Sequence, residues 1–283
     1  MHQVSNYISI FAASYLTNMI YPAIIINYQC VLAKAFAPPT GHGVIYEVIR
    51  VTDGVFLFLE DHVQRLKKSA QLANANLVCS LSEVTRLLTQ LVKMNAVTTG
   101  NIRLDYYFHK GKITYQAAYF VQHRYPTEDE YCEGVRTSLH IAERTIPNAK
   151  IWQPALREEI KRIIAKKNLY EVILVHPDGY ITEGSRTNVF MVSAGTVYTA
   201  PEADVLPGVT RKYVLQACSE LSVPVVEKRM KVDRIFDMEA LFFSGTSPKV
   251  LPVAFVDDFL FDAYNTIVRQ IMKKFDEISD KKN

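Results

Sequence analysis

Apolar and polar positions alternate in short runs through the first half of the chain, interrupted by two stretches of helical spacing. Gly43 to Val51 (Gly-Val-Ile-Tyr-Glu-Val-Ile-Arg-Val) reads as a strand, Asp53-Gly54 as a tight turn, and Val55 to Leu59 as the returning strand of a hairpin. From Glu60 to Asn74 the period lengthens, with Leu59, Val63, Leu66, Ala70 and Ala73 on one stripe of a helix. Ser80-Leu-Ser-Glu83 is a capping box, in which each side chain accepts from the other residue's backbone amide. Behind it Val84, Leu87, Leu88, Leu91 and Val92 form the apolar face of a second helix. Strands over Ile102–Phe108 and Ile113–Val121 complete an N-terminal α/β unit, and Ala23 to Tyr28 is its first buried strand.

Polar residues then crowd Gln122–Glu133, including Pro126 and the acids Glu128, Asp129, Glu130 and Glu133, a composition shift that marks a linker. The expected organisation is an N-terminal domain over 1–124, whose residues 1–22 are an extra segment, a linker over 125–134, and a C-terminal domain over 135–283. The second domain opens with a strand near Arg136–Ile141, a loop carrying Lys150, and a helix over Pro154–Lys167 with proline in its first turn. Strands follow at Glu171–Val175, Thr187–Val192 and Thr196–Thr199, joined by Pro177-Asp178-Gly179 and Ala194-Gly195 turns. Leu206-Pro207-Gly208 leads into a helix over Val209–Leu221. Tyr264, Ile267, Val268, Ile271 and Phe275 make a final amphipathic helix.

Composition narrows the function classes. The chain has 283 residues, 49% of them hydrophobic, enough for one large or two modest cores. The net charge of +3 is scattered over short pairs such as Lys67-Lys68 and Lys166-Lys167, so no basic face for nucleic acid is expected. Cys30, Cys79, Cys132 and Cys218 form no Cys-x-x-Cys pair and read as free thiols of a cytoplasmic protein. No His-x-x-x-His pair occurs, and no metal site is expected. The first 33 residues carry no Lys, Arg, Asp or Glu, and the run from Tyr7 to Ile26 is rich in apolar side chains. It lacks the basic start of a secretory signal, and Ser9, Ser14, Thr17, Asn18 and Pro22 interrupt the roughly 20 apolar residues of a membrane span. The expectation is a segment packed on the core or on a partner, not a membrane anchor.

The candidate chemistry centres on Ile181-Thr-Glu-Gly-Ser-Arg-Thr-Asn-Val-Phe190, which places Glu183 at a tight polar turn ahead of an apolar strand. Upstream, Lys150 lies among Ile146, Pro147, Ile151 and Trp152. An apolar pocket disfavours the ammonium form, and a lysine must be deprotonated to attack a carbonyl. A carboxylate held beside such a lysine is what an aldehyde cofactor with a basic ring nitrogen needs. Gly208-Val209-Thr210 opens a helix, whose first amides and positive dipole end suit an anion. Ser244-Gly-Thr-Ser247 adds glycine and hydroxyls after an apolar run, and Arg65 offers a planar guanidinium able to grip two phosphate oxygens.

Together these motifs resemble the class IV aminotransferases, the fold type IV enzymes that use pyridoxal phosphate. That family includes branched-chain and D-amino acid aminotransferases and aminodeoxychorismate lyase. The resemblance runs from about Ala23 to the C-terminus and implies a two-domain α/β fold of the D-amino acid aminotransferase type, with the cofactor between domains. Lys150 lies 33 positions before Glu183 (183 − 150), close to the family's separation, and would form the Schiff base. Glu183 would pair with the ring nitrogen and Asn188 would fix its loop. Arg65 (in Glu60-Asp-His-Val-Gln-Arg-Leu66), Val209, Thr210 and Thr246 would hold the phosphate. Ser247 would offer its amide to the substrate carboxylate, Tyr46 would line the pocket, Arg103 would face a second carboxylate, and Arg186 would face cofactor or substrate. A homodimer is also implied, with loops of one subunit closing the other's pocket.

Three positions depart from the family patterns. Pro248-Lys249 replaces a small–acidic pair, Lys110 stands where D-amino acid enzymes place an arginine before glycine, and Ala155 stands where branched-chain enzymes have a tyrosine. The expected function is exchange of an amino group between an amino acid and a 2-keto acid. The alternative is a lyase releasing pyruvate from aminodeoxychorismate to give 4-aminobenzoate. A silent scaffold on the same fold would be marked by loss of Lys150 or Glu183, and both are present.

Overall fold

The computed structural model describes residues 19–281, so most of the segment expected over 1–22, with Tyr7, Ser9, Ser14, Thr17 and Asn18, lies outside the described residues. The chain forms two compact units. One comprises residues up to 124 together with 149–152, and the other comprises 125–148 and 153 onward.

The first unit is built on a six-stranded antiparallel sheet. Its order is Gln29–Leu32, Ala23–Ile26, Lys112–Val121, Gly100–His109, Gly43–Thr52 and Val55–Phe56. Helices Leu59–Leu72 and Leu81–Asn95 cover one face, burying Leu66, Leu88 and Leu91 against Ile45, Ile49, Ile102 and Leu104. The capping box at Ser80 forms as the sequence predicts. The returning strand is shorter than predicted, because the chain enters the helix at Leu59 through a left-handed Phe58 (φ 54). The other face carries an aromatic cluster of Phe36, Tyr107 and Tyr119, with Trp152 packed on it.

Lys150 was expected in the C-terminal domain, yet Ala149–Trp152 belongs to the first unit. The physical reason is an unpaired strand edge. Beyond the short Val55–Phe56 partner, Gly43–Thr52 has free backbone groups, which need partners wherever they are buried. The segment around Lys150 supplies them: Tyr46 N donates to Lys150 O (3.1 Å), Trp152 N donates to Val44 O (2.9 Å), and Ile45 pairs with Ile151.

The second unit is a ten-stranded mixed sheet. Its order is Val225–Glu227, Thr196–Thr199, Asn188–Ser193, Ala240–Gly245, Lys249–Val256, Val135–Ile141, Glu171–Val175, Tyr180–Gly184 and Met230–Lys231, with Phe259–Leu260 paired to Lys249–Val256. Six of these strands close into a ring, because Asn188 also pairs with Glu183. Ile173, Ile181, Val189, Met191, Leu241, Phe243, Leu251 and Val253 belong to the core of this unit. Helices Pro154–Lys167, Val209–Glu220 and Thr266–Lys281 complete the unit.

Two expectations change here. The predicted linker contains a helix, Glu128–Glu133, begun by a second capping box between Thr127 and Glu130. Glu183 sits not in the turn but near the end of a strand, Tyr180–Gly184, and the turn is residues 185–187. Among the described residues all four cysteines are free, and no helix is long and apolar enough to cross a membrane.

Candidate active site

In the first unit Lys150 is fixed through its backbone. Its amide donates to the hydroxyl of buried Ser69 (3.0 Å), and its Nζ lies 4.9 Å from the centroid of the Tyr46 ring. The same ring lies 4.4 Å from Cζ of Arg103, which stands 4.2 Å from the ring of Trp152 as well. Aromatic faces attract cations through their quadrupole, so two rings hold one guanidinium. Arg103 Nε also donates to Asp105 Oδ1 (2.7 Å), and Tyr119 OH donates to Asp105 Oδ2 (2.7 Å). Burial pushes the Asp105 carboxyl above its usual range, against the pull of Arg103 and Tyr119.

On the opposite face of the sheet, Arg65 grips a carboxylate. Its Nε donates to Glu47 Oε1 (2.7 Å) and its Nη2 to Glu47 Oε2 (2.7 Å), a bidentate pair. His62 Nδ1 lies 2.8 Å from Glu47 Oε2. Burial lowers the His62 pKa and Glu47 raises it less, so the ring is neutral near pH 7 with Nδ1–H as donor. Burial opposes the charge on Glu47, but Arg65 and His62 outweigh it and hold the carboxyl well below the carboxylate range.

In the second unit the ring of strands closes at the candidate residues themselves. Glu183 and Asn188 are direct cross-strand partners. Glu183 Oε1 accepts from Arg144 Nη1 (2.9 Å) and Oε2 from the Leu206 amide (3.1 Å). Asn188 Nδ2 donates to the Leu206 carbonyl (3.0 Å), so the two partners hold both backbone groups of one residue. Two positions later Gly208 begins the helix, with no side-chain cap on its amides. A Cβ on Gly208 would stand 2.1 Å from Asn188 Oδ1, so only glycine lets the helix start this close to the seam. Val209 and Thr210 are buried in the first turn of that helix. Ser244 lies opposite Asn188 on the neighbouring strand, its Oγ buried without a hydrogen-bond partner, and the turn with Thr246 and Ser247 follows. Arg186 donates to the Tyr170 carbonyl (3.0 Å), and its side chain is 54% exposed.

A phosphorylated aldehyde with a basic ring nitrogen fits this donor set. It needs a buried acceptor, which Glu183 is, and uncapped helix amides for an anion, which begin at Gly208. The orphaned Ser244 hydroxyl, on the residue opposite Asn188, is a further polar atom without a protein partner.

Sequence reasoning missed Glu47, Ser69, Asp105, Arg144 and Glu171. Glu47 carried a signal, since it shares the parity of Ile45, Ile49 and Val51 and so puts a charge on the core face of its strand. Arg144 carried none, because its partner is 39 positions away.

Known proteins share sequence and fold with this chain. The D-alanine aminotransferase of Bacillus licheniformis is 30% identical over 224 residues, covering 75% of this chain and 78% of that enzyme. The branched-chain amino acid aminotransferase of Escherichia coli has the same fold at 22% identity, with a TM-score of 0.81 over 92% of this chain and 95% of that one. A candidate 4-amino-4-deoxychorismate lyase of Legionella pneumophila also shares the fold, at 18% identity and a TM-score of 0.73 over 88% and 97% of the two chains. Residues 44–256 match the family described as amino-transferase class IV, so the chain belongs to that family of enzymes, whose cofactor is pyridoxal phosphate.

Proposed function

We propose that the chain is an aminotransferase that exchanges an amino group between an amino acid and a 2-keto acid, using pyridoxal phosphate bound to Lys150. The observation that carries this reading is the buried Glu183 carboxylate, oriented by Arg144 and the Leu206 amide beside an uncapped helix start. Such an acceptor holds a proton on the cofactor's ring nitrogen. Bound there, pyridoxal phosphate supplies a sink for the electron pair released at the substrate α-carbon. With the group bound, Lys150 Nζ would hold its aldehyde and, once freed by the substrate amine, would carry the proton between the substrate α-carbon and the carbon of that aldehyde. The helix start at Val209 and Thr210 and Thr246 would hold the phosphate, with Arg65 adding its charge from its pair with Glu47. Asn188 fixes Glu183 and the Gly208 helix start in one register. Ser247 addresses the substrate carboxylate, Tyr46 and Arg103 address its side chain, and Arg186 stands ready in the turn for cofactor or substrate. Amino donor and keto acceptor therefore take turns at one site. On this reading the enzyme works as a cytoplasmic homodimer, which sedimentation analysis checks.

The second reading, a lyase that releases pyruvate from aminodeoxychorismate, draws support from the fold shared with the Legionella protein and from Ala155 and Lys110. It needs the same lysine and the same glutamate. Purified protein given pyridoxal phosphate is expected to gain visible absorption from an imine on Lys150, removed by borohydride and absent in Lys150→Ala. Protein that takes up no cofactor overturns both readings. Amino transfer from alanine or glutamate to a keto acid supports the transferase; pyruvate release from aminodeoxychorismate with no acceptor present overturns it.

A further inference from the structure

The chemistry proposed above uses Glu183 and Asn188 but not the carboxylate beneath the turn that joins them. Glu171 is wholly buried at the start of the strand Glu171–Val175. Its Oε1 accepts from Ser185 Oγ (2.5 Å) and from the Val172 amide (2.9 Å). Its Oε2 accepts from the Arg186 amide (3.1 Å), with Thr187 Oγ1 at 3.5 Å and Arg186 Nε at 3.7 Å. All three residues of the turn thus converge on one carboxylate. A buried charge is tolerated only where several donors meet it, so the charge dictates the shape of the turn. Gly184 makes room for this arrangement: a Cβ there would stand 2.0 Å from Thr187 Oγ1 and 3.2 Å from Glu171 Cγ.

We infer that Glu171 is a positioning residue of the cofactor site, acting through the 185–187 turn. The turn keeps Glu183 opposite Asn188 across the seam. Those two residues hold the amide and the carbonyl of Leu206, and Leu206 leads into the helix start at Gly208 and Val209. One buried carboxylate therefore sets the acid that faces the ring nitrogen and the amides that face the phosphate. This inference rests on the proposed cofactor roles of Glu183, Val209 and Thr210.

The test replaces Glu171 by Gln, which keeps the size but turns a donor toward donors. The readouts are the dissociation constant for pyridoxal phosphate, titrated onto the apoprotein, and amide exchange at Leu206 and Val209. Glu171→Gln is expected to weaken cofactor binding about tenfold or more, as loss of a supporting partner does around other bound groups. Exchange at Leu206 and Val209 should quicken. Ser185→Ala should give part of the same effect and add little to Glu171→Gln. Ile278→Val, a core change in the C-terminal helix, should lower thermal stability yet leave the dissociation constant within about twofold. If Glu171→Gln and Ser185→Ala lower only thermal stability and keep the wild-type dissociation constant, the positioning role is overturned. Should Glu171→Gln fail to fold, an unchanged constant in Ser185→Ala overturns it. Wild-type protein that binds no pyridoxal phosphate overturns the parent reading instead, so the two failures are distinct.

Discussion

The first unit holds two buried arginine–carboxylate pairs on neighbouring strands, and they reach opposite charge balances. Glu47 receives two donors from Arg65, one from His62 and the Val48 amide (3.3 Å), and its carboxyl is held well below the usual range. Asp105 receives one donor from Arg103 and one from Tyr119, and burial wins, raising its carboxyl. Both are fully buried, so burial alone does not separate them. The number and charge of the donors do. Arg103 divides its charge between Asp105 and the faces of Tyr46 and Trp152, whereas Arg65 directs two donors at one carboxylate. The first pair is a rigid anchor under the helix Leu59–Leu72. The second is a guanidinium shared between a carboxyl and two rings of an aromatic wall.

Breaking the stronger pair should show the largest effect. Glu47→Gln leaves a terminal amide nitrogen facing either Arg65 or His62, a donor against a donor, and leaves Arg65 buried without its counter-charge. Removing one member of a buried pair costs about 3–5 kcal/mol. Urea unfolding at pH 7 should reveal a loss of that order. A loss below about 1 kcal/mol would place the pair with exposed salt bridges and erase the contrast.

That contrast also marks where sequence reasoning reached and where it stopped. Strands rich in β-branched residues and bounded by turn signals, such as Gly43–Thr52, and helices with a local start signal, such as Ser80 and Pro154, are legible because the cause lies within a few residues. The Thr127–Glu130 box was equally local, but the polarity around it reads as linker. The strand Tyr180–Gly184 is hard to read because Thr182 and Glu183 interrupt its apolar pattern; it is fixed by partners at Ile173, Val175 and Asn188. Ala149–Trp152 has no period of its own and takes its place from the free edge of a strand about a hundred positions earlier. At the candidate site the residues carrying reactive groups stood out by type. The carboxylates and hydroxyls that hold them, Glu171 for the turn and Ser69 for Lys150, did not, because their roles exist only in the folded arrangement.

Asp105→Asn should have a smaller effect on stability and a different one on specificity. The asparagine oxygen still accepts from Arg103, and Tyr119 can reverse its hydroxyl to accept from the new amide, so no donor faces a donor. The change should be within about 1 kcal/mol, the net worth of an ordinary hydrogen bond. What it removes is the anion that offsets Arg103. If Arg103 meets the substrate side chain as proposed, KM for 2-oxoglutarate should fall in Asp105→Asn while KM for pyruvate holds. Equal changes in both would detach Arg103 from substrate choice.

The finest contrast lies in the pH dependence, where the two pairs should move stability in opposite directions. Glu47 is lowered from its ordinary 4.5, so its contribution is fully present above that value. It is lost as pH falls below 4.5 toward the folded-state value, because the unfolded chain then binds a proton that the folded one does not. The advantage of wild type over Glu47→Gln should therefore shrink in acid, by at most about 1.4 kcal/mol per pH unit. Asp105 is raised from its ordinary 3.8, so the folded chain binds the proton first as pH falls. Ionised Asp105 weakens the fold in the window above 3.8, and Asp105→Asn should gain on wild type as pH rises through it. Burial also lowers His62 from 6.5, which makes its protonation unfavourable in wild type and Asp105→Asn alike and cancels from that comparison. Unfolding free energies of wild type and the two variants give two difference curves with opposite slopes, the Glu47 curve read below pH 4.5 and the Asp105 curve above 3.8. Parallel curves would mean that donor number does not set the charge of these buried acids.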